Sequence, residues 1–439
     1  MPALRPAILA TALGLAVTGA CALVAGDDLT VPARLRALEA RFVGSEACRD
    51  CHPALFDGWR ETRHPYQEQL AGPGTVVAPF DGQPFTMDGV EMRAFREGEQ
   101  FFVHTLGPDE QMRDYPVLRT IGGFYKQRYV TEVEGHEAVL PVQWNVRTQH
   151  WKPYSAVGHE TVGTEKFWAS IPNEWAPRCS GCHTVGTEMV PRADGGFDAD
   201  YVELGIGCES CHGPGSEHVA RPEEAGLILD PADLPVDLQV DVCGACHTRG
   251  HAEVEEHGAP TRLRFPHDFL PGEPLEAHYG TDQPVLGEVT ASHWPDGSSR
   301  SHHQQAMDFE LDVHFTAAGM SCTSCHDPHG RPNPGETRLP ARDDSLCLSC
   351  HDWDRDRIRA HTFHDPDDAG STCIECHMPK IVNHAEKLEL RSHTRWSPDP
   401  ARALREGMPD ACTRCHDDRD QDWAALWATK WWGGESAGE

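Results

Sequence analysis

Apolar and polar positions alternate clearly in only one part of this chain. Between about residues 80 and 147 the pattern recurs in Gln100-Phe-Phe-Val-His104, Tyr115-Pro-Val-Leu118, Gln127-Arg-Tyr-Val130 and Val139-Leu-Pro-Val142, with Gly82, Gly89, Gly98, Gly107 and Gly135 between the runs. Side chains that alternate between faces with glycine at the turns predict a small antiparallel β meander. It acts either as a structural clip or as a lid or docking surface. Near the C-terminus Trp423, Trp427 and Trp431 stand four residues apart, which predicts a helix with an aromatic stripe turned towards the interior. Elsewhere neither period is sustained, and the expectation is short helical turns joined by long irregular segments.

The cysteines explain how such segments pack. Of 17 cysteines, all but Cys21 fall into eight Cys-x-x-Cys-His motifs. These are Cys48, Cys51 and His52; Cys179, Cys182 and His183; Cys208, Cys211 and His212; and Cys243, Cys246 and His247. The remaining four are Cys322, Cys325 and His326; Cys347, Cys350 and His351; Cys373, Cys376 and His377; and Cys412, Cys415 and His416. Two thiols at this spacing reach the two vinyl groups on one edge of a haem, and the next residue offers its imidazole to the iron. A zinc site also uses Cys-x-x-Cys but does not require histidine next in line. With 27 histidines in 439 residues, histidine after all eight pairs would arise by chance with a probability on the order of 10⁻¹⁰. Disulfide scaffolds are short and dense, unlike this chain. The motifs therefore predict eight covalently attached c-type haems, heme c with its iron.

Composition agrees with that reading. Hydrophobic residues make up 39%, below the roughly 45–50% of ordinary globular domains, and Gly (40) and Pro (34) are frequent. The porphyrin faces are expected to supply the missing apolar volume. The fold class expected is mainly α with much irregular structure: a multihaem cytochrome c fold packed around eight haems, with the β insertion. Along the chain this gives a leader at 1–26, a first haem segment at 27–75, the β insertion at 76–147, a seven-haem array at 148–420 and the Trp-rich helix and tail at 421–439.

Net charge is −31, and haem propionates add to it. Nucleic acid and anionic lipid are poor partners for such a surface; a redox protein with a basic docking face, a cationic substrate or a metal ion suits it better. In the leader, Arg5 precedes an apolar run from Ala7 to Val17, the layout of a secretory signal and short for a membrane span. Ala20-Cys21-Ala22 offers a cleavage site, Thr18-Gly19-Ala20-Cys21 an imperfect lipidation box at Cys21, and an uncleaved leader a third form of anchor. Each places the body in the periplasm or otherwise outside the cytoplasm.

Several stretches resemble a known superfamily. They are Phe42–Pro53 with Trp59 and Arg63-His64, Cys208–His218, Trp294–His302 with Gln304-Gln305, Gly319–His329, Cys373–Pro379 and Pro409–His416. This is similar to the octahaem cytochromes of the superfamily that includes the tetrahaem cytochrome of ammonia oxidisers and hydroxylamine oxidoreductase. Within it, the chain resembles multihaem proteins fused to tetratricopeptide repeats; it is expected to lack those repeats and their scaffolding role. No motif replaces histidine by lysine, unlike the active-site haem of pentahaem nitrite reductases, and no motif locates the crosslinking tyrosine of hydroxylamine oxidoreductase.

Beyond the eight motif histidines, 19 others stand against nine methionines, which favours two histidines per iron and low potentials. The resemblance implies His64, His218, His302, His314, His329 and His393 as distal ligands, with His159 and one of His361 or His364. Two functions follow. If every iron has two imidazoles, the chain is an electron relay. If one distal site is open, it is a haem oxidoreductase acting on a small nitrogen or sulfur compound.

Overall fold

The computed structural model describes residues 29–433 apart from 155, 159–161, 257–258, 331–334, 385–386 and 395–396. The leader with Cys21, and His159, lie outside the described residues. Helix accounts for 29% and strand for 24% of the chain, in several antiparallel sheets, so the expectation of a mainly α chain is wrong. The reason is physical. A porphyrin face can replace an apolar packing partner, but it cannot accept or donate the hydrogen bonds of a buried backbone. Gly- and Pro-rich segments that cannot sustain a helix satisfy those groups by pairing with themselves.

Between the first two motifs lie two sheets where one meander was expected. Strands β1 (Glu68–Leu70), β6 (Arg119–Gly122), β7 (Lys126–Val133), β8 (His136–Asn145) and β9 (His150–Pro153) form a five-stranded sheet in that order. Strands β2 (Asp81–Met87), β3 (Val90–Glu97), β4 (Gln100–Leu106) and β5 (Met112–Pro116) form a four-stranded one. All pairings are antiparallel. Alternation along β4 buries Phe101, Val103 and Thr105. Strand β8 is buried along nearly its whole length, as expected of a strand covered on both faces. Met92, Val103, Tyr129, Leu140 and Val142 join Trp168 and Trp175 in the largest apolar core of the molecule.

Smaller antiparallel pairs recur among the later motifs: Thr184–Val185 with Glu203–Leu204, Glu188–Pro191 with Phe197–Asp200, Gly250–Glu256 with Ala259–Leu263, and Val382–His384 with Lys387–Leu390. Seven of the motifs overlap a short helix or 3₁₀ turn, and the eighth, Cys412 to His416, lies in a non-helical turn. Trp175–His183 and Val236–His247 each end on their motif histidine. Cys208 begins a single turn, Glu209–His212.

One buried network couples the large sheet to the helix of the second motif. Arg119 on β6 forms ion pairs with Glu68 on β1 and Glu137 on β8. The Trp175 indole N–H donates to Glu68 Oε2 at 3.2 Å, and the Arg119 guanidinium stands over the Trp175 ring at 4.3 Å. The β region thereby fixes the start of the helix that carries Cys179, Cys182 and His183.

Candidate haem-binding sites

Among the described residues, six of the eight motif histidines face a second imidazole. Ring centroids are 6.3 Å apart for His52 and His218, 6.0 Å for His212 and His329, and 6.3 Å for His326 and His393. They are 6.1 Å apart for His314 and His351, 6.1 Å for His361 and His377, and 6.2 Å for His364 and His416. Rings this far apart do not touch. An imidazole nitrogen binds a first-row metal at about 2 Å, and the ring centre lies roughly 1 Å behind it, so two imidazoles on one iron have centres about 6 Å apart.

The outer nitrogens fit the same picture. A carbonyl or carboxylate oxygen only accepts, so an Nδ1 beside one carries the proton and leaves Nε2 free for a metal. His212 Nδ1 donates to Leu229 O at 2.7 Å, His326 to Gly335 O at 2.9 Å, and His183 to Gln67 O at 3.3 Å. His364 donates to Thr362 O at 2.6 Å, His393 to Arg391 O at 3.2 Å, and His314 to Asp312 Oδ1 at 2.8 Å. His247 Nδ1 donates to Gln305 Oε1 at 3.1 Å. The histidines of this chain are thus both spaced and oriented for haem iron.

The facing partner comes from another motif's neighbourhood. His218, on the turn after the third motif, faces His52 of the first. Glu209, inside the third motif, binds the two segments together: it is buried and accepts from the N–H groups of Val43, Gly44 and Gly215. His329 follows the fifth motif and faces His212 of the third. Its loop is reached through a close backbone contact: a Cβ at Gly58 would collide with His329 O, and one at Gly330, whose φ is +97°, would collide with Gly58 O. Only glycine fits either place.

Both His361 and His364 face motif histidines, although the resemblance implied only one of them. The helix Arg355–Thr362 ends at Phe363, whose φ of 59° turns the chain left-handed. That turn separates the two imidazoles, so His361 meets His377 and His364 meets His416. Three residues of sequence spacing carry no sign of it.

His247 and His183 are arranged differently. His64 lies within electrostatic reach of His247, and burial together with that neighbour pushes the His64 imidazole below the usual range. Among the described residues no ring faces His183, whose imidazole is pushed down to about 4 by burial and then by Arg128. His302 is not in a facing pair. It packs against His303 at 4.4 Å and His384 at 4.9 Å, with Lys126 Nζ 2.9 Å from its Nε2.

Thiols of different motifs also approach one another. Cys48 and Cys208, Cys182 and Cys246, Cys243 and Cys322, and Cys347 and Cys373 lie within side-chain hydrogen-bonding reach. The Cys376 thiol, pushed up to about 11 by burial, feels Cys415 of the last motif. Since each cysteine pair would mark one edge of its haem, these approaches bring successive haem edges together. Cys51, Cys350 and Cys415 are exposed.

Comparison with known proteins agrees with this geometry. Residues 314–356 match the family described as the doubled CXXCH motif, and residues 141–213 match cytochrome c554 and c-prime. The chain is 24% identical over 250 residues to "Multiheme cytochrome MtrA" of Shewanella baltica (strain OS185). That match covers 55% of this chain and 66% of the relative's length. Among solved structures, "Outer Cell Wall Cytochrome OcwA" superposes with a TM-score of 0.66 at 21% identity, over 90% of this chain and 87% of that one. An undecahaem cytochrome from the S-layer of Carboxydothermus ferrireducens gives 0.46 at 16% identity, over 89% and 59%.

Proposed function

We infer, from the chain's membership of the multihaem c-type cytochromes, that it relays electrons outside the cytoplasm through eight covalently attached haems. The observation that carries this reading is the set of six facing imidazole pairs, with centroids 6.0–6.3 Å apart. An iron held by two imidazoles has no position for substrate and can only change oxidation state. The protein then acts through burial, propionate charge and the hydrogen bonds to each Nδ1. The cofactor supplies the reversible one-electron chemistry. The motif cysteines would hold the porphyrins and the paired histidines the irons, and the hydrogen bonds to each Nδ1 fix the orientation of the imidazoles.

Cys51 of the first motif, Cys350 of the sixth and Cys415 of the eighth are exposed, and redox partners would dock at haem edges that reach the surface in this way. With a net charge of −31, those partners are proteins with a basic docking face. Covalent haem attachment and the leader support an extracytoplasmic location, with lipidated Cys21 or the uncleaved leader as routes to the membrane. Among the described residues no helix is long and apolar enough to cross one. The likeness to a protein named for an outer cell wall supports the same reading.

Two measurements test the reading. The intact mass of the mature protein should exceed its polypeptide by eight haems; seven or fewer would remove a motif from the set. In stopped flow, reduction by a small basic cytochrome should slow as ionic strength rises, and a rate indifferent to salt would contradict basic partners. The role of His218 is separately testable. His218→Ala should turn the haem facing His52, and no other, from low-spin to high-spin. An unaltered EPR spectrum would make His218 an ordinary interior histidine.

A further inference from the structure

One of the six facing pairs differs from the others in two respects. Its imidazole planes are crossed: His314 and His351 stand at 79°, whereas the planes of the other five pairs lie between 5° and 36° of each other. The group behind its outer nitrogen also differs. Six other imidazoles donate from Nδ1 to a neutral oxygen: His183, His212, His326, His364 and His393 to a backbone carbonyl, and His247 to the Gln305 amide. His314 donates instead to a carboxylate, Asp312 Oδ1, at 2.8 Å.

The fold holds that carboxylate in place. The Asp312 side chain is fully buried. It caps the short helix Val313–Thr316: the same Oδ1 accepts from His314 N at 2.7 Å, while Asp312 N donates to Phe309 O at 2.9 Å. Phe309 belongs to an apolar cluster with Val240 and Ala306, against which Phe315 packs. One oxygen thus fixes both the backbone and the ring of His314, and sets that ring across the ring of His351. A carboxylate here acts on an iron through the imidazole. It draws the Nδ1 proton towards itself, which makes Nε2 the stronger base, and its buried charge is weakly screened. Both effects favour the ferric state, whose positive charge is greater by one, and so lower the potential. A neutral carbonyl exerts less of the first and none of the second.

We propose that Asp312 is a positioning residue that makes the site of His351 and His314 the lowest in potential of the six with facing imidazoles. The proposal rests on the haem reading of the sixth motif and deepens the relay. Cys350 is exposed and Cys347 lies within reach of Cys373 of the seventh motif, so electrons that enter here pass inward and do not rest. Parallel imidazole planes split the iron dxz and dyz orbitals and crossed planes leave them nearly equal, so this site should give the most anisotropic low-spin EPR signal of the holoprotein. His314→Ala should remove that signal and so identify it. In a dithionite titration each ferric iron takes one electron, and the shared proton stays between Nδ1 and Oδ1. The identified signal should still be present when five other haems are reduced. Asp312→Asn keeps an acceptor for His314 and a good helix cap but removes the charge. It should raise the reduction equilibrium constant of this site at least tenfold, about 59 mV for one electron, and leave the other signals unmoved. A haem-loaded Asp312→Asn protein that titrates as the parent does overturns the proposal and leaves the relay standing. So does loss of the crossed-plane signal before five other haems are reduced in the unmodified protein, a result that needs no Asp312 variant. A low-spin spectrum unchanged by His314→Ala removes the pairing itself, and the proposal with it.

Discussion

A chain ending at Asp420 should carry two high-spin haems where the full chain carries low-spin ones, with the other six unaffected. The helix Gln421–Trp432 lies across the segment that presents His361 and His364. Trp432 Nε1 donates to His361 O at 3.0 Å, Trp431 stacks on Phe363 at 4.8 Å and stands 6.0 Å from the His364 ring, and Trp423 packs 4.8 Å from His416. Removing a packed tryptophan costs roughly 3–5 kcal/mol where it is fully buried. Here the tryptophans are half-buried, but four are lost together. The left-handed turn at Phe363 would then have little to hold it. Spin quantitation by EPR should read about two new high-spin centres. Trp432→Phe, which loses the N–H bond to His361 O and part of the ring beside it, should affect the His377 site alone. A truncated protein with an unchanged low-spin spectrum would show that the helix is not what holds these two histidines.

Asp308→Ala should free His393 from its place opposite His326 and destabilise the fold by roughly 3 kcal/mol or more. Asp308 is buried and accepts from Ser299 N at 2.7 Å, His393 N at 3.0 Å and Ser392 Oγ at 3.2 Å. It therefore joins the loop around Trp294–Ser301 to the segment carrying His393. Alanine takes the carboxylate acceptor from the Ser299 and His393 N–H groups in a buried site, while the Ser392 hydroxyl keeps Thr394 Oγ1 at 2.9 Å. The expected result is one high-spin haem and a midpoint that falls clearly in thermal unfolding followed at the Soret band. Asp308→Asn keeps an acceptor oxygen and should lose less than half as much. An alanine variant as stable as the parent and fully low-spin would contradict this role.

The chemistry of the motifs was legible because it depends on local spacing: two thiols three residues apart and an imidazole beside the second. Strands such as Gln100–Leu106 were legible because their alternation runs for several residues between glycines. The two-residue strands Thr184–Val185 and Glu203–Leu204 are too short to show a period, and most of the remaining strand lies in the two sheets between the first two motifs. The partner of each motif histidine was illegible for a different reason. His393 and His326, or His218 and His52, meet only through contacts between distant segments, and Glu209 and Asp308, which make those contacts, look like ordinary surface acids in the sequence. Lys126 was missed likewise: its neighbours His302 and His384 lie far along the chain.

The central claim is that the molecule is an array of haems that exchange electrons, and a reductive titration of the purified holoprotein tests it most directly. The account predicts an uptake of eight electrons per molecule, spread over a broad and mostly negative range of potential, because each added electron enters an array already rich in negative charge. An uptake of seven or fewer, or eight haems reduced together in a single narrow wave, would contradict it.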